Sequence, residues 1–205
     1  MRVALPDPTL AGARKSLRAS LQSRRRAVAR AERAHASALA ALNADRLLRL
    51  RAGWRVGIYA ALADELDSAP LIALAQARGC RIYLPRIDRR RVGRKMRFVE
   101  MSGPQRLNRL GIAEPQGSRT LGARWLHVVF LPLVGFDSHG VRLGTGGGFY
   151  DRAFAFRHWR TAWHAPRLVG FGYAFQQLER ITPAAHDVLM DAVVTEQGVI
   201  QCATG

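Results

Sequence analysis

Residues 142–151 read RLGTGGGFYD: four glycines within ten residues, opened by a cation and closed by a carboxylate. Glycine loses more backbone entropy on folding than any other residue, so such a cluster needs a reason. An apolar, β-branched run precedes it (124–136, RWLHVVFLPLVGF), followed by a turn, DSHG. An aromatic-rich helical stretch, FYDRAFAFRHW, begins within it. The loop therefore joins a strand end to a helix start, the place where open α/β sheets bind ligands. Glycines there let backbone N–H groups face inward as an anion nest, and Arg142 adds planar donors suited to phosphate oxygens. Asp151 repels phosphate unless a divalent cation lies between them, as Mg²⁺ does in many phosphate sites. The loop is neither GxxxxGK[ST] nor GxGxxG, so by residue pattern a phosphate cradle and a structural turn both stay open.

Outward from the loop, short apolar runs alternate with helical patterns. Residues 54–62 (WRVGIYAAL) predict a buried strand. Asp67 or Ser68 caps a helix over 69–78 with Pro70 in its first turn and Gly79 ending it. Residues 81–87 (RIYLPRI) predict the next strand, so the three make a βαβ unit with a parallel strand pair. The run 124–136 reads as a central strand, and 167–175 and 191–200 as further strands. Residues 88–98 read as a basic loop or hairpin and 107–122 as loop. Residues 14–50 hold no Gly or Pro and predict helix, broken near Asn43–Asp45. Trp159 and Trp163, four apart, read as a packed helix face. The expectation is an α/β fold: one layered domain over 14–200, with a mostly parallel central sheet flanked by helices and a long N-terminal helical segment. Residues 1–13 read as a disordered arm and 201–205 as a tail.

The 205 residues suit one domain, and 48% apolar content is ordinary for a globular chain. Cys80 and Cys202 lack metal-ligand spacing and read as reduced thiols, which favours the cytoplasm. No apolar run is long enough to span a bilayer. The net charge of +17 invites a polyanion, RNA or DNA included, or reflects an arginine-rich composition. Two further features point to a ligand. Lys15 and Arg18 share a helix face, and Glu65 lies just beyond the strand over 54–62, where a carboxylate meets cationic or N–H edges.

In order, KSLR, ADELD, LPLVGFDSHGVRLGTGGGFYDRAF, VGFGYAFQ and HDVLMDAVVTE resemble the 5-formyltetrahydrofolate cyclo-ligase (methenyltetrahydrofolate synthetase) family over about residues 14–196. The resemblance implies ATP- and Mg²⁺-dependent closure of 5-formyltetrahydrofolate to 5,10-methenyltetrahydrofolate. It implies ATP contacts at Lys15, Arg18, Arg142, Gly144, Thr145, Gly146, Gly147, Gly148, Phe149 and Tyr150. Folate contacts fall on Ala60, Glu65, Thr145, Gly148 and Phe149, and Mg²⁺ near Asp151 and Asp191. Arg142 and Asp151 stand at the reacting centre with Tyr150, which is given no chemical step of its own. Gly147, where many relatives have Lys, and Phe149, where Tyr is usual, depart from the family pattern. The reading expects a monomer acting on small molecules, with no membrane or nucleic-acid partner. Two alternatives stand beside it: a nucleic-acid-binding α/β protein using exposed Arg24–Arg26 and Arg89–Arg91, and an inactive paralogue that binds nucleotide without turnover.

Overall fold

Val128, Val129, Phe130 and Leu131 are fully buried. Val128 and Phe130 enter one apolar cluster, Val129 and Leu131 another. Successive strand residues point to opposite faces, so this run has to lie between two covered layers.

The structure, a computed structural model, describes residues 8–87, 96–102, 105–107, 113–115, 119–159 and 165–203. Along the chain run α1 (Pro8–Ala27), α2 (Arg30–Leu48), β1 (Arg55–Gly57), α3 (Ala69–Ala77), β2 (Arg81–Ile87), β3 (Met96–Glu100), β4 (Gln105–Leu107), β5 (Ala113–Pro115) and β6 (Thr120–Leu121). Then follow β7 (Val128–Pro132), β8 (Gly135–Phe136), β9 (Arg142–Leu143), α4 (Phe149–Phe154), β10 (Arg167–Phe171), β11 (Ala192–Thr195) and β12 (Gly198–Gln201). The main sheet has the order β12-β11-β10-β7-β1-β2-β3-β6. Its centre, β11 to β2, is parallel, while β12, β3 and β6 join antiparallel at the two sides. This is the expected α/β layering.

On one face, α2 and α3 bury Ala36, Ala40, Ala44, Leu71 and Ala75 against Val56, Ile82, Phe130 and Val169. Alanine every fourth residue lets α2 approach closely. On the other face, Phe154 of α4 packs with Phe98, Leu131 and Val193. Gly57 serves that layer: a Cβ there would lie 3.1 Å from Leu126, Phe98 and Val129 side chains.

The βαβ unit forms as expected, with β1 and β2 parallel in register Arg55 to Arg81. Asp67 Oδ1 accepts the Ala69 N–H at 2.9 Å, while the Ser68 hydroxyl donates to Tyr59 O. The helix break is not near Asn43–Asp45. It falls at Val28–Ala29, where Ala29 is extended. Arg33 Nη2 donates to Val28 O across that break. Asn43 instead donates to Thr195 O and docks α2 on β11, and Asp45 pairs with Arg78. These polar side chains make tertiary contacts rather than competing with their own backbone. Residues 8–13 of the expected arm lie in α1.

The run 124–136 splits into a 3-10 turn, β7 and β8, and 167–175 is strand only to Phe171. The segment 191–200 forms the β11–β12 hairpin, and the expected loop 107–122 contains β5 and β6. Trp159 is 87% exposed, so it does not pack, and Trp163 lies outside the described residues. Both cysteines are free and buried. No helix among the described residues is long and apolar enough to cross a membrane.

Candidate active site

The glycine loop is held at both ends. Upstream, β8 and β9 form a hairpin around Asp137, whose buried carboxylate accepts the N–H groups of His139, Val141 and Ile181. The hairpin turn needs Gly140, at φ +83°, because a Cβ there would fall 2.5 Å from Met190 O. This delivers Arg142, 8% exposed, into the interior. Downstream, Gly148 precedes α4 in the left-handed region, and α4 carries Asp151 back towards Arg142. Arg142 Nη2 donates to Asp151 Oδ1 and Nη1 to Val188 O. The Val188 N–H also donates to Asp151 Oδ1, at 3.2 Å. Asp151 Oδ2 accepts no hydrogen bond from a described residue.

From the opposite side α1 closes the loop, with Arg18 Nε donating to Gly144 O at 2.8 Å. One turn earlier, Arg14 reaches Asp187 Oδ2 at 2.9 Å and Thr182 O at 2.7 Å.

Between these elements lies a cavity of about 380 Å³. It opens at the carboxyl ends of the parallel strands β1 and β7, as expected for an open α/β sheet. It brings together Arg18, Ala60, Glu65, Arg142, Gly144 to Gly148, Phe149, Tyr150 and Asp151. Lys15, on α1, is exposed and does not line it. Asp191 is elsewhere, before β11 at the amino end of the parallel strands. Arg157 grips it bidentately at 2.7 and 3.0 Å, and it accepts the Leu168 N–H. Asp187 and Arg14, which the sequence reading did not single out, do line the cavity. Arg14 sits next to Lys15, and Asp187 lies four residues before Asp191 in the HDVLMD segment, so each of these lining side chains comes from a stretch the sequence had marked.

The cavity's second wall is mostly apolar: Tyr59, Pro85, Ile87, Met96 and Leu133. Glu65 stands in it. Its Oε2 accepts the Leu62 N–H at 3.0 Å, and its Oε1 lies 3.7 Å from Arg25 Nη1. Burial pushes the Glu65 carboxyl above its usual range, opposed by the Leu62 bond and Arg25. Burial, and then the neighbouring Glu65, also push the Tyr59 and Tyr150 hydroxyls up, so both stay neutral donors.

The two departures in the loop are packed together. A Cβ at Gly147 would lie 2.7 Å from the Phe149 ring. The Arg152 guanidinium stacks over that ring at 5.0 Å and donates to Gly147 O at 2.9 Å. Arg152 thus brings a cation beside the loop where position 147 has no side chain.

Among the described residues, no three or more His, Cys, Asp or Glu are grouped to hold a metal by themselves. Asp151, which lines the cavity and whose Oδ2 accepts no hydrogen bond from a described residue, suits Mg²⁺, which takes one or two carboxylates and completes its shell with phosphate and water. Asp191 has both oxygens engaged.

The sequence model of the 5-formyltetrahydrofolate cyclo-ligase family matches residues 11–196. The chain is 35% identical over 149 residues to the 5-formyltetrahydrofolate cyclo-ligase of Escherichia coli, covering 70% of this chain and 79% of that one. It is 26% identical over 200 residues to the mouse 5-formyltetrahydrofolate cyclo-ligase, covering 92% and 96%. Among solved structures it is similar to Aquifex aeolicus 5,10-methenyltetrahydrofolate synthetase, with a TM-score of 0.77 and 26% identity over 94% of each chain. The chain belongs to the 5-formyltetrahydrofolate cyclo-ligase family.

Proposed function

We propose that this chain closes 5-formyltetrahydrofolate to 5,10-methenyltetrahydrofolate at the expense of ATP, releasing ADP and phosphate. The observation that carries this reading is one cavity whose two walls differ. One wall is a glycine loop with Arg18, Arg142 and Asp151; the other is apolar and carries a buried carboxylate, Glu65. The first suits a polyphosphate, the second a flat heterocycle with N–H groups.

The formyl oxygen attacks the γ-phosphorus and ADP leaves, giving an imidate phosphate. N10 then adds to the formyl carbon, loses its proton, and phosphate departs with the former formyl oxygen. Phosphoryl transfer is largely positioning and charge neutralisation. Arg18 and Arg142 supply fixed positive charge, and loop N–H groups supply further donors. Glu65 orients the pterin through its N–H groups. Asp151, with Asp187 next to the Val188 whose N–H it accepts, would hold Mg²⁺, which would screen phosphate charge. No covalent nucleophile of the protein is needed. The reduced, buried thiols suit a cytoplasmic setting.

The nucleic-acid alternative loses part of its footing, because Arg25 is only 2% exposed, although Arg24 and Arg26 are exposed. Arg89–Arg91 lie outside the described residues. A heavy-oxygen label on the formyl group tests the chemistry. The account expects it in the released phosphate; label retained in the folate or lost to water would refute the route.

A further inference from the structure

The amino end of the parallel sheet, opposite the cavity, carries a different chemistry. The starts of four neighbouring strands stand level there. Arg81 of β2 pairs with Arg55 of β1, His127 immediately precedes β7, and Arg167 of β10 pairs with Val128. Backbone hydrogen bonds of 2.7 to 2.9 Å fix the row: Arg81 N–H donates to Trp54 O, His127 N–H to Arg55 O and Arg167 N–H to His127 O. Neighbouring strands lie about 4.8 Å apart, so three arginines and an imidazole cross roughly 15 Å of edge.

Two indoles are set into this row. Trp54 stacks on His127 with ring centres 5.9 Å apart, and the Arg51 guanidinium lies over the Trp54 ring at 5.0 Å. Trp125 is held through its carbonyl, which accepts Arg55 Nε, and the residue is 58% exposed. Burial, and then the Arg55 charge, push the His127 imidazole below its usual range, so arginine alone carries the positive charge of the row. That charge is in surplus. Asp45, Glu100 and Asp191, which lie at this end, are already paired with Arg78, Arg81 and Arg157. Arg51 and Arg124 are exposed and, like Arg55 and Arg167, make no ion pair with a described carboxylate.

Planar guanidiniums suit phosphate oxygens, and an exposed indole beside them suits a base, because every base offers a π-face. A duplex keeps its bases stacked and admits a helix or ribbon to its groove. A lipid surface takes a helix with a broad apolar face. This edge is built of strand starts and the short connections leading into them, with one well-exposed indole, and fits neither.

We infer that the amino edge of the sheet binds single-stranded nucleic acid, with Arg51, Arg55, Arg124 and Arg167 on the phosphates and Trp125 stacked on a base. The surface is separate from the arginines of α1, and the inference stands independently of the folate reading.

Fluorescence anisotropy of labelled oligouridylate and oligothymidylate strands of about twelve nucleotides tests this. A duplex of the same length and phosphatidylserine vesicles, the latter by co-sedimentation, are the parallel arms. The native protein should bind the strands more tightly than the duplex, the tighter strand naming RNA or DNA. Log affinity should fall with log salt at a slope of about −3, as for four phosphates neutralised. Trp125→Ala, which removes no charge, should weaken binding about tenfold at unchanged melting temperature, and Trp125→Phe should restore most of it. Arg124→Ala should make the slope shallower by about 0.7, whereas Arg26→Ala, on α1, should leave it unchanged. No strand binding by the native protein, or a preference for duplex or vesicles, would overturn the inference. So would native-level binding in Trp125→Ala, or a loss in Arg26→Ala as large as in Arg124→Ala.

Discussion

The Arg25 guanidinium reaches Asp64, thirty-nine positions along the chain, with Nη2 at 2.6 Å and Nε at 3.1 Å from the same carboxylate oxygen. Its Nη1 donates to Leu133 O at 3.2 Å. One side chain of α1 therefore ties together the loop after β1 and the end of β7, the two strand ends that frame the cavity. The helix carrying Arg14 and Arg18 is fastened to the site it serves.

Arg25 is nearly fully buried and Asp64 about one quarter exposed. Asp64→Asn leaves a buried guanidinium with Glu65, 3.7 Å from Nη1, as its remaining counter-charge, and should cost ~3 kcal/mol of stability, the lower end for breaking a buried pair. Replacing both partners, as Arg25→Met with Asp64→Asn, should recover part of that loss. Urea unfolding measures it. A cost below ~1 kcal/mol for Asp64→Asn would place the pair with ordinary surface bridges.

Glu65 provides the pH signature. Its native carboxyl titrates above the ordinary value of 4.5. The native state therefore holds the proton more tightly than the unfolded chain. The stability this contributes is complete below the ordinary value and is lost as pH rises through the raised native one. Glu65→Gln removes that loss, so the variant should gain on the native protein as pH climbs from about 4 to about 7. Melting temperatures of the two across that range check the sign. A constant difference would mean that burial does not perturb Glu65. In turnover, the same variant should raise the folate KM more than the ATP KM.

Two loop glycines separate folding from ligand approach. Gly144 lacks a positive φ and a Cβ there meets nothing within 4 Å, whereas Gly146 sits at φ +100°. Gly144→Ala should leave stability within ~0.5 kcal/mol, as at an unstrained open site. Gly146→Ala should cost ~1 kcal/mol or more, because Ala adopts left-handed backbone poorly. If the Gly144 backbone lies against phosphate, Gly144→Ala should still raise the ATP KM severalfold at unchanged melting temperature. An unchanged KM would make Gly144 a turn residue only.

The parallel core was legible because burial on both faces writes an uninterrupted apolar run, as at 128–132 and, between two arginines, at 82–85. The glycine loop was legible because its composition is costly anywhere but at a turn or a ligand. The break at Val28–Ala29 was not, since nothing in AVARAERA stops a helix; the arginines at 25 and 33 fold back into tertiary contacts there. Arg25 itself looked like one of three solvated cations, and helical position gave no sign that a carboxylate waited beneath it. Asp187 and Asp191 were indistinguishable by spacing, four residues apart in one segment. Arg14 engages the first and Arg157 the second, so their places in the fold, the cavity wall for one and the foot of the sheet for the other, depend on partners far away in sequence.

The central claim is most directly tested by mixing the purified protein with 5-formyltetrahydrofolate, ATP and Mg²⁺ and following near-ultraviolet absorbance, with ATP omitted in a parallel sample. The account predicts a rise of the methenyl product band that requires ATP and is lost in Arg142→Ala. A folded protein that binds ATP but gives no rise, or a rise indifferent to ATP, would contradict it.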